Sequence, residues 1–458
     1  MTCETWLDLQ CLSAMARHRC ESRAAQRDQG LGLLQWREGG IAVDVSGLAM
    51  SRTAQDVLHD LARDSGVFDR RAALFEGRRD KRDPGAALPT TMLRRPWGHS
   101  AMVDGTELSL EIAGARHWPE CLAQAVREGA LRGATGRPFR TVLHLGPEPS
   151  SVAARRILHA LNGARSGPRV HFVSPKDGTP DTVLAGLDPA ETLVILAFEA
   201  FSNAPARGLV DPVVAWLRAA LGHAGAVTHL VAVTASARQA LDLGVAAERV
   251  IAAGSEWLVG YTVWSPLHLG LKIALGNECL AEMRAGGWQA DLHFRDSADA
   301  DNLALQLGLA DVWIEQAFGD LRSAAVAPSS WDGIAAAQIA SRAACRSEFP
   351  IQAMEDRDRE AWQDLALIQH AAMVRQADGP INALGTESPG FVPAIVIACR
   401  SHTPRMLGRL IALNEHRQDV AETIRAAQRK PVRAADPAPI AGSNVVSLAD
   451  RRTPQAHP

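Results

Sequence analysis

The spacing of hydrophobic residues divides the chain near residue 119. Before that point, apolar residues alternate with polar ones over 41–50, which predicts a strand, and then follow helical spacing at Val57, Leu58 and Leu61. After it, short continuous apolar runs alternate with amphipathic segments of helical periodicity. The runs are TVLHLG, RVHFVS, ETLVILAF and THLVAVT. Continuous apolar strands separated by helices predict a parallel sheet with helices on both faces.

The same pattern divides the chain into five regions. We assign 1–40 to a polar, arginine-rich lead, 41–118 to an N-terminal helical region, 119–290 to a first α/β domain, 291–425 to a second and 426–458 to a tail. Long helices are predicted over 258–322, in the segments LHLGLKIALGNECLAEM and NLALQLGLADVWIEQAFG, and the clearest strand of the second domain is FVPAIVIACR. The many prolines, alanines and polar residues of the tail predict disorder.

Composition narrows the class of protein. The 458 residues are 47% hydrophobic and 22% charged, with a formal net charge of −3, as in soluble globular proteins. We expect neither a nucleic-acid partner nor a membrane, because the chain has no basic excess and no apolar run of about 20 residues. The seven cysteines form no C-x-x-C pair, and the first residues are acidic where a signal peptide is basic. We therefore expect reduced thiols, a cytoplasmic location and no structural zinc.

Several segments, in order and almost without gaps, resemble glucose-6-phosphate isomerase. TPRMLGRLIALNEHR (403–417) resembles the family's T-P-x-x-L-G-x-L-I-A-L-Y-E-H, with Asn414 as its one conspicuous change. The other matching segments are VREGALRGATGRPFRTVLHLG (126–146), HFVSPKDG (171–178) and HFRDSADADNLALQLGLADVWIEQAFG (293–319). The resemblance extends over roughly 41–420 and implies two sugar-isomerase (SIS) domains, each an α-β-α sandwich with a parallel-sheet core, joined by long helices.

The resemblance also implies a reaction and a partner. The family interconverts glucose 6-phosphate and fructose 6-phosphate as a homodimer, and it uses no cofactor and no metal. That reaction needs a pocket for a phosphate dianion, a carboxylate base and a cation near the enediolate oxygen. A sugar phosphate or related small molecule is therefore the expected ligand.

The first phosphate element of the family is I-G-I-G-G-S-D-L-G, which aligns with 145–153 so that Gly146 and Ser150 are retained. Pro149 replaces a glycine and removes a backbone N–H donor. Glu148 replaces another glycine and adds a negative charge that opposes phosphate. For Ser150 the alternative role is the N-cap of the following helix, which we favour.

The remaining site motifs are also altered. In the second phosphate element, S-K-T-F-T-T, Glu199 stands in place of the lysine, and Ser202 and Asn203 take the last two positions either as hydrogen-bond donors or as ordinary loop residues. The arginine motif G-G-R-Y-S keeps Gly260 but lacks its arginine. The catalytic carboxylate aligns with Glu355, for which a solvated surface glutamate is an equal alternative.

Residues that pack helices and strands are thus retained, while residues that touch substrate are replaced in separate segments. The ring-opening histidine and the C-terminal lysine motif also have no counterpart. This asymmetry predicts a folded family member whose isomerase site is lost and whose role is binding, regulatory or structural. The alternatives are an active isomerase that uses Glu355 as its base and a subunit that assembles with another protein. A DNA-binding SIS regulator is disfavoured, since no basic helix-turn-helix precedes the first domain.

Overall fold

A computed structural model describes residues 33–45, 50–79, 89–252, 262–318, 395–399 and 403–429, with 46, 47 and 49 omitted and 5, 8, 9 and 48 as isolated positions. The strands are β1 (Leu33–Trp36), β2 (Ile41–Asp44), β3 (Met102–Val103), β4 (Thr106–Glu107), β5 (Thr141–Leu145), β6 (Arg169–Val173), β7 (Thr192–Ala197), β8 (Leu230–Thr234), β9 (Val250–Ala252) and β10 (Val396–Cys399).

The α-helices are α1 (Arg52–Asp64), α2 (Val67–Glu76), α3 (Thr90–Arg94), α4 (Ser109–Arg127), α5 (Glu148–Ala160), α6 (Asp181–Leu184), α7 (Ala204–Val227), α8 (Ala237–Asp242), α9 (Leu269–Leu275), α10 (Asn277–Asp296), α11 (Leu303–Phe318) and α12 (Pro404–Arg429). Within the described residues, no helix is both long and apolar enough to cross a membrane.

The centre of the molecule is a five-stranded parallel sheet in the order β6-β5-β7-β8-β9. Every residue of β7 and of β8 is buried, as the continuous apolar runs predict. Alternate residues of β7 face different core clusters: Leu193 and Ile195 belong to one, and Val194 and Leu196 to the other. The predicted mixed α/β class is confirmed.

Helices cover both faces of this sheet. On one face, α7 packs Leu209, Val213 and Leu217 into the cluster that contains Val194 and Leu196. On the other, α5 and α9 contribute to the larger cluster, which continues into the helices α10, α11 and α12. The carboxyl ends of the parallel strands therefore lead into loops held between two helical layers, which is where ligands bind in open α/β sheets.

Two elements differ from the sequence expectation. The segment LHLGLKIALGNECLAEM was predicted as one helix, but it forms α9 and α10 with a break at Gly276, whose φ of +90° ends the first helix. The strand predicted in FVPAIVIACR is confirmed as β10, yet it pairs antiparallel with β2 in a three-stranded sheet, β1-β2-β10.

The parallel sheet predicted for the second domain falls mostly on 319–394, which lie outside the described residues. The helix α12 ends at Arg429, inside the range 426–458 that was assigned to the tail, and the rest of that range lies outside the described residues.

Candidate functional site

The loop between β5 and α5 is where the resemblance places the first phosphate element. Gly146 is buried, and its N–H donates to the carbonyl of Val173 on β6 at 3.1 Å. Pro147 occupies the N-cap of α5, and the helix begins at Glu148. Since neither Pro147 nor Pro149 has an N–H, the loop offers fewer backbone donors than a glycine-rich turn.

Ser150 lies in the first turn of α5 rather than at its N-cap, so the favoured N-cap role is wrong. Its side chain is buried, with only 2% of the residue exposed, and its Oγ lies 3.2 Å from Nε2 of His268. The hydroxyl that the resemblance assigns to phosphate is therefore turned into the protein interior, against a histidine from the loop that precedes α9.

His268 and His144 form a buried pair of imidazoles next to this loop. Burial lowers the pKa of His268 to about 3, and burial together with the His268 charge lowers the pKa of His144 to about 3. Both rings are therefore neutral near pH 7. His144 packs on Phe172 with 4.8 Å between ring centroids, and Gly270 of α9 leaves room for it, because a Cβ there would come within 2.7 Å of Nδ1.

The two carboxylates that replace family phosphate ligands lie in different surroundings. Glu148 pairs with Lys176, whose Nζ lies 2.5 Å from Oε2, and this ion pair is largely exposed. Glu199 is exposed, while its backbone carbonyl accepts hydrogen bonds from Thr234 Oγ1 and from the N–H of Ala235. The Lys176 charge partly offsets that of Glu148, which softens the expected repulsion of an anion at this loop.

Ser202 and Asn203 both lie in the exposed loop between β7 and α7. Asn203 is the N-cap of α7, and its Oδ1 accepts from the N–H of Ala206 at 2.8 Å. That oxygen satisfies one of the orphan donors of the helix, so the loop-residue alternative describes Asn203 well. Two adjacent strands thus lead to all four residues: β5 is followed by Gly146 and Ser150, and β7 by Ser202 and Asn203.

Gly260 and Glu355 lie outside the described residues. Within the described part of the chain, no group of three or more His, Cys, Asp or Glu side chains is placed to hold a metal ion.

A buried ionic network joins α3, α10 and α12 and was not recognised in the sequence. Arg94 donates to Asp291 with Nη2···Oδ1 at 2.5 Å and pairs with Glu415, while His416 Nε2 lies 2.7 Å from the same Asp291 oxygen. Trp264 Nε1 donates to Glu415 at 2.6 Å, which ties the segment after Gly260 to α12. The sequence feature that could have revealed this network is the pair Glu415-His416 inside the largely apolar segment LIALNEHR. Charged side chains in such segments are rarely buried unless they are paired.

Comparisons with known proteins agree with the motif resemblance. The phosphoglucose isomerase family profile matches residues 44–332. The glucose-6-phosphate isomerase of Caulobacter sp. (strain K31) is 30% identical over 328 residues, covering 71% of this chain and 60% of that protein. That of Ruegeria sp. (strain TM1040) is 34% identical over 277 residues, 60% of this chain and 51% of the relative.

The fold is similar to the crystal structure of a glucose-6-phosphate isomerase from Chlamydia trachomatis. The TM-score is 0.63 at 16% sequence identity, over 92% of this chain and 91% of the other. In sequence, however, the matched region spans about half to three-fifths of the length of the curated relatives.

Proposed function

This chain belongs to the phosphoglucose isomerase family, and we propose that it is a member that has lost the isomerase site and acts by binding, in a regulatory or structural role. The proposal rests on the hydrogen bonds that residues of the first phosphate loop already make within the protein. Two groups retained from the family element, the Gly146 N–H and the Ser150 hydroxyl, already have partners inside the protein: Val173 and His268.

Binding a phosphate in this loop therefore requires existing hydrogen bonds to break. A buried donor already paired with protein gains little by exchanging one acceptor for another, and separating Ser150 from His268 leaves a buried ring nitrogen without a partner. The proline and glutamate between these residues remove donors and add a negative charge. Together these features favour a loop that keeps its strand–loop–helix shape without holding a phosphate.

The test is a coupled assay of glucose 6-phosphate and fructose 6-phosphate interconversion on the purified chain, with calorimetric titration of fructose 6-phosphate. We expect no turnover above the uncatalysed rate, while the Caulobacter relative, run in parallel, gives both turnover and saturable heat. Turnover, or tight fructose 6-phosphate binding that weakens in Ser150→Ala but is unchanged in Lys272→Met, a variant outside this loop, would contradict the proposal.

The second candidate is an active isomerase of a sugar or sugar phosphate, with Glu355 as its base. It is favoured by the retained Met-Glu pair at 354–355 in the segment that matches the family's base motif. Turnover that disappears in Glu355→Gln but persists in Glu360→Gln, a neighbouring carboxylate, would establish it.

We also propose that the chain forms a homodimer, as the family resemblance implies. Light scattering coupled to size exclusion would give twice the mass of 49.0 kDa. A monomer mass across the accessible concentration range would contradict this state.

A further inference from the structure

A small cavity lies between α4, α9 and α10. Its volume is about 40 Å³. A cavity needs roughly 10–15 Å³ on the same measure of volume to hold a single water, so this one has room for a few waters or one small polyatomic ion. Its wall is mostly apolar and includes Leu93 and Ile112, with a smaller number of polar and charged side chains.

The polar part of the wall carries an excess of positive charge. Arg116, Lys272 and Arg284 line the cavity, and one carboxylate, Glu120, faces them. The same Glu120 oxygen lies 3.2 Å from Lys272 Nζ and 3.7 Å from Arg284 Nη1. Among the described residues, three cationic side chains thus share the single carboxylate of Glu120. Guanidinium groups do not lose a proton at neutral pH, so this crowding of positive charge persists.

The cationic side chains are held in place by neighbouring elements. Arg116 donates through Nη1 to the carbonyl of Arg95 at 2.9 Å and through Nη2 to that of Leu93, at the end of α3. Glu120 is fixed through its backbone as well, since its carbonyl accepts from Asn277 Nδ2 at 2.9 Å. Arg116 and Glu120 are therefore held by contacts with the surrounding backbone and side chains rather than being mobile at the surface.

The energetics of this cluster favour a bound anion. Burial, together with the Arg284 charge, lowers the pKa of Arg116 to about 10, and burial is also the main cause of the lowered pKa of Lys272 and Arg284. Each shift means that the charged form is less stable here than in water. A negative ion between these side chains would offset that cost, as a paired charge does elsewhere in a protein interior.

A second, independent feature of the cavity is His268, whose ring lies on its wall and is only 1% exposed. Its Nδ1 atom has no hydrogen-bond partner among the described residues. A neutral imidazole carries one N–H, and when the Ser150 hydroxyl donates to Nε2, that N–H is at Nδ1. A buried donor without a partner is rare in folded proteins and marks a place where a further acceptor fits.

We propose that this cavity binds a tetrahedral oxyanion, a phosphate or sulfate group, held by Lys272 and Arg284, with Arg116 adding positive charge and His268 a hydrogen bond. The group is either a free inorganic ion or the terminal phosphate of a small organic molecule. Glu120 competes with the anion for Lys272 and Arg284, so it sets an upper limit on the affinity. This site goes beyond the proposed loss of isomerase activity, because it uses residues outside both phosphate elements of the family.

The test is calorimetric titration of the full chain, in a phosphate-free, low-salt buffer, with inorganic phosphate, sulfate and glycerol 3-phosphate. Saturable binding is expected for at least one of them. Tighter binding of glycerol 3-phosphate than of phosphate assigns the site to the terminal group of an organic molecule, and equal or weaker binding assigns it to a free ion. Lys272→Met and Arg284→Gln should each weaken binding about tenfold or more, since each removes a charge in close contact with the ion.

Glu120→Gln is the decisive variant, because it should tighten binding by a similar factor, and a gain of affinity cannot result from unfolding. Arg238→Gln removes an exposed arginine paired with Asp242 and serves as the matched control, with unchanged affinity expected. Absence of saturable binding for all three anions overturns the site. So does binding that persists unchanged in Lys272→Met and Arg284→Gln, or that fails to tighten in Glu120→Gln.

Discussion

Arg94 has a side chain with no exposed surface, and it lies between two carboxylates that are also buried, Asp291 and Glu415. Burial opposes ionisation of Asp291, yet the Arg94 charge and the hydrogen bonds from Arg94 and His416 outweigh it and hold its pKa below the usual value. Removing Arg94 would leave two acidic groups in the core without their shared cation, and a broken buried ion pair costs about 3–5 kcal/mol.

We therefore expect Arg94→Met to lower the free energy of unfolding by about that amount in urea denaturation. The matched control is Arg63→Met, since the Arg63 side chain is 67% exposed and, within the described part of the chain, forms an ion pair only with the nearby Asp60. Its effect should stay within about 0.5 kcal/mol. A loss below about 1 kcal/mol for Arg94→Met would mean that the network is not a single interdependent unit.

His144 makes the stability of the protein depend on pH. Its pKa of about 3 lies below the unfolded value of 6.5, so between these values the unfolded chain binds a proton that the folded chain does not. Its contribution is thus fully present above pH 6.5 and is lost as the pH falls toward 3. In His144→Asn, the loss of unfolding free energy between pH 6.5 and 5 should be smaller by about 2 kcal/mol. Equal pH slopes in the two proteins would show that the ring becomes charged without unfolding.

The sequence predicted where the residues of the first phosphate loop lie in the fold, but not which side chains they contact. Gly146 and Ser150 follow β5 and open α5 as the strand–loop–helix pattern predicts. The contact between Ser150 and His268 joins positions 118 apart, and nothing in the local pattern around His268 marks it as a partner. Such pairings arise from packing of α9 against α5, so only the assembled fold reveals them.

At the scale of whole elements, α10 and α12 approach closely because glycines face each other's backbones. A Cβ at Gly408 of α12 would lie 1.8 Å from the carbonyl oxygen of Met283, and one at Gly286 of α10 would lie 1.9 Å from that of Arg405. Backbone atoms cannot give way as a flexible side chain can, so a single methyl group must push the helices apart.

We expect Gly408→Ala to destabilise the protein by about 1–3 kcal/mol or more, by overpacking this contact. Gly208→Ala, in the second turn of α7, is the matched control: nothing lies within 4 Å of its added Cβ, and alanine should stabilise the helix by up to about 1 kcal/mol. Thermal unfolding of the two variants should therefore shift in opposite directions. A neutral Gly408→Ala would show that the two helices have room to separate.

Periodicity predicted most elements and the parallel sheet, and it failed on the pairing of β10. The strands β5 to β8 and the helices between them lie where the apolar runs and amphipathic segments place them. The strand β10 was also predicted, but an apolar run does not specify which strand it pairs with. In the structure it pairs antiparallel with β2. The break at Gly276 was missed because a single glycine inside a helical pattern is compatible with either one helix or two.

At the scale of the whole molecule, segments from the two ends of the described chain pack against each other. The strand β10 completes the sheet that β1 and β2 begin, and Arg409 of α12 donates to the carbonyl of Gly39 at 2.7 Å, in the turn between those strands. The helix α12 also buries an apolar face that includes Met406, Leu410 and Ile424. Each fully buried side chain of this kind contributes roughly 1.5–3 kcal/mol, so the C-terminal helix is integral to the N-terminal half of the fold.

A chain that ends at residue 402 should therefore not reach the native state, although it keeps every strand of the parallel sheet. Without α12, the apolar surfaces of α10 and α11 that it covers would be exposed to water. Asp291 would lose His416, and Arg94 would lose Glu415. The combined cost in free energy exceeds the marginal stability of a typical domain. We expect loss of near-ultraviolet circular dichroism and binding of a hydrophobic dye. Addition of a separate peptide of residues 403–430 should restore the native signal in part, whereas the same peptide with Gly408→Ala should restore less. A truncated chain that unfolds cooperatively at the full-length temperature would show instead that the first α/β unit folds without the helix.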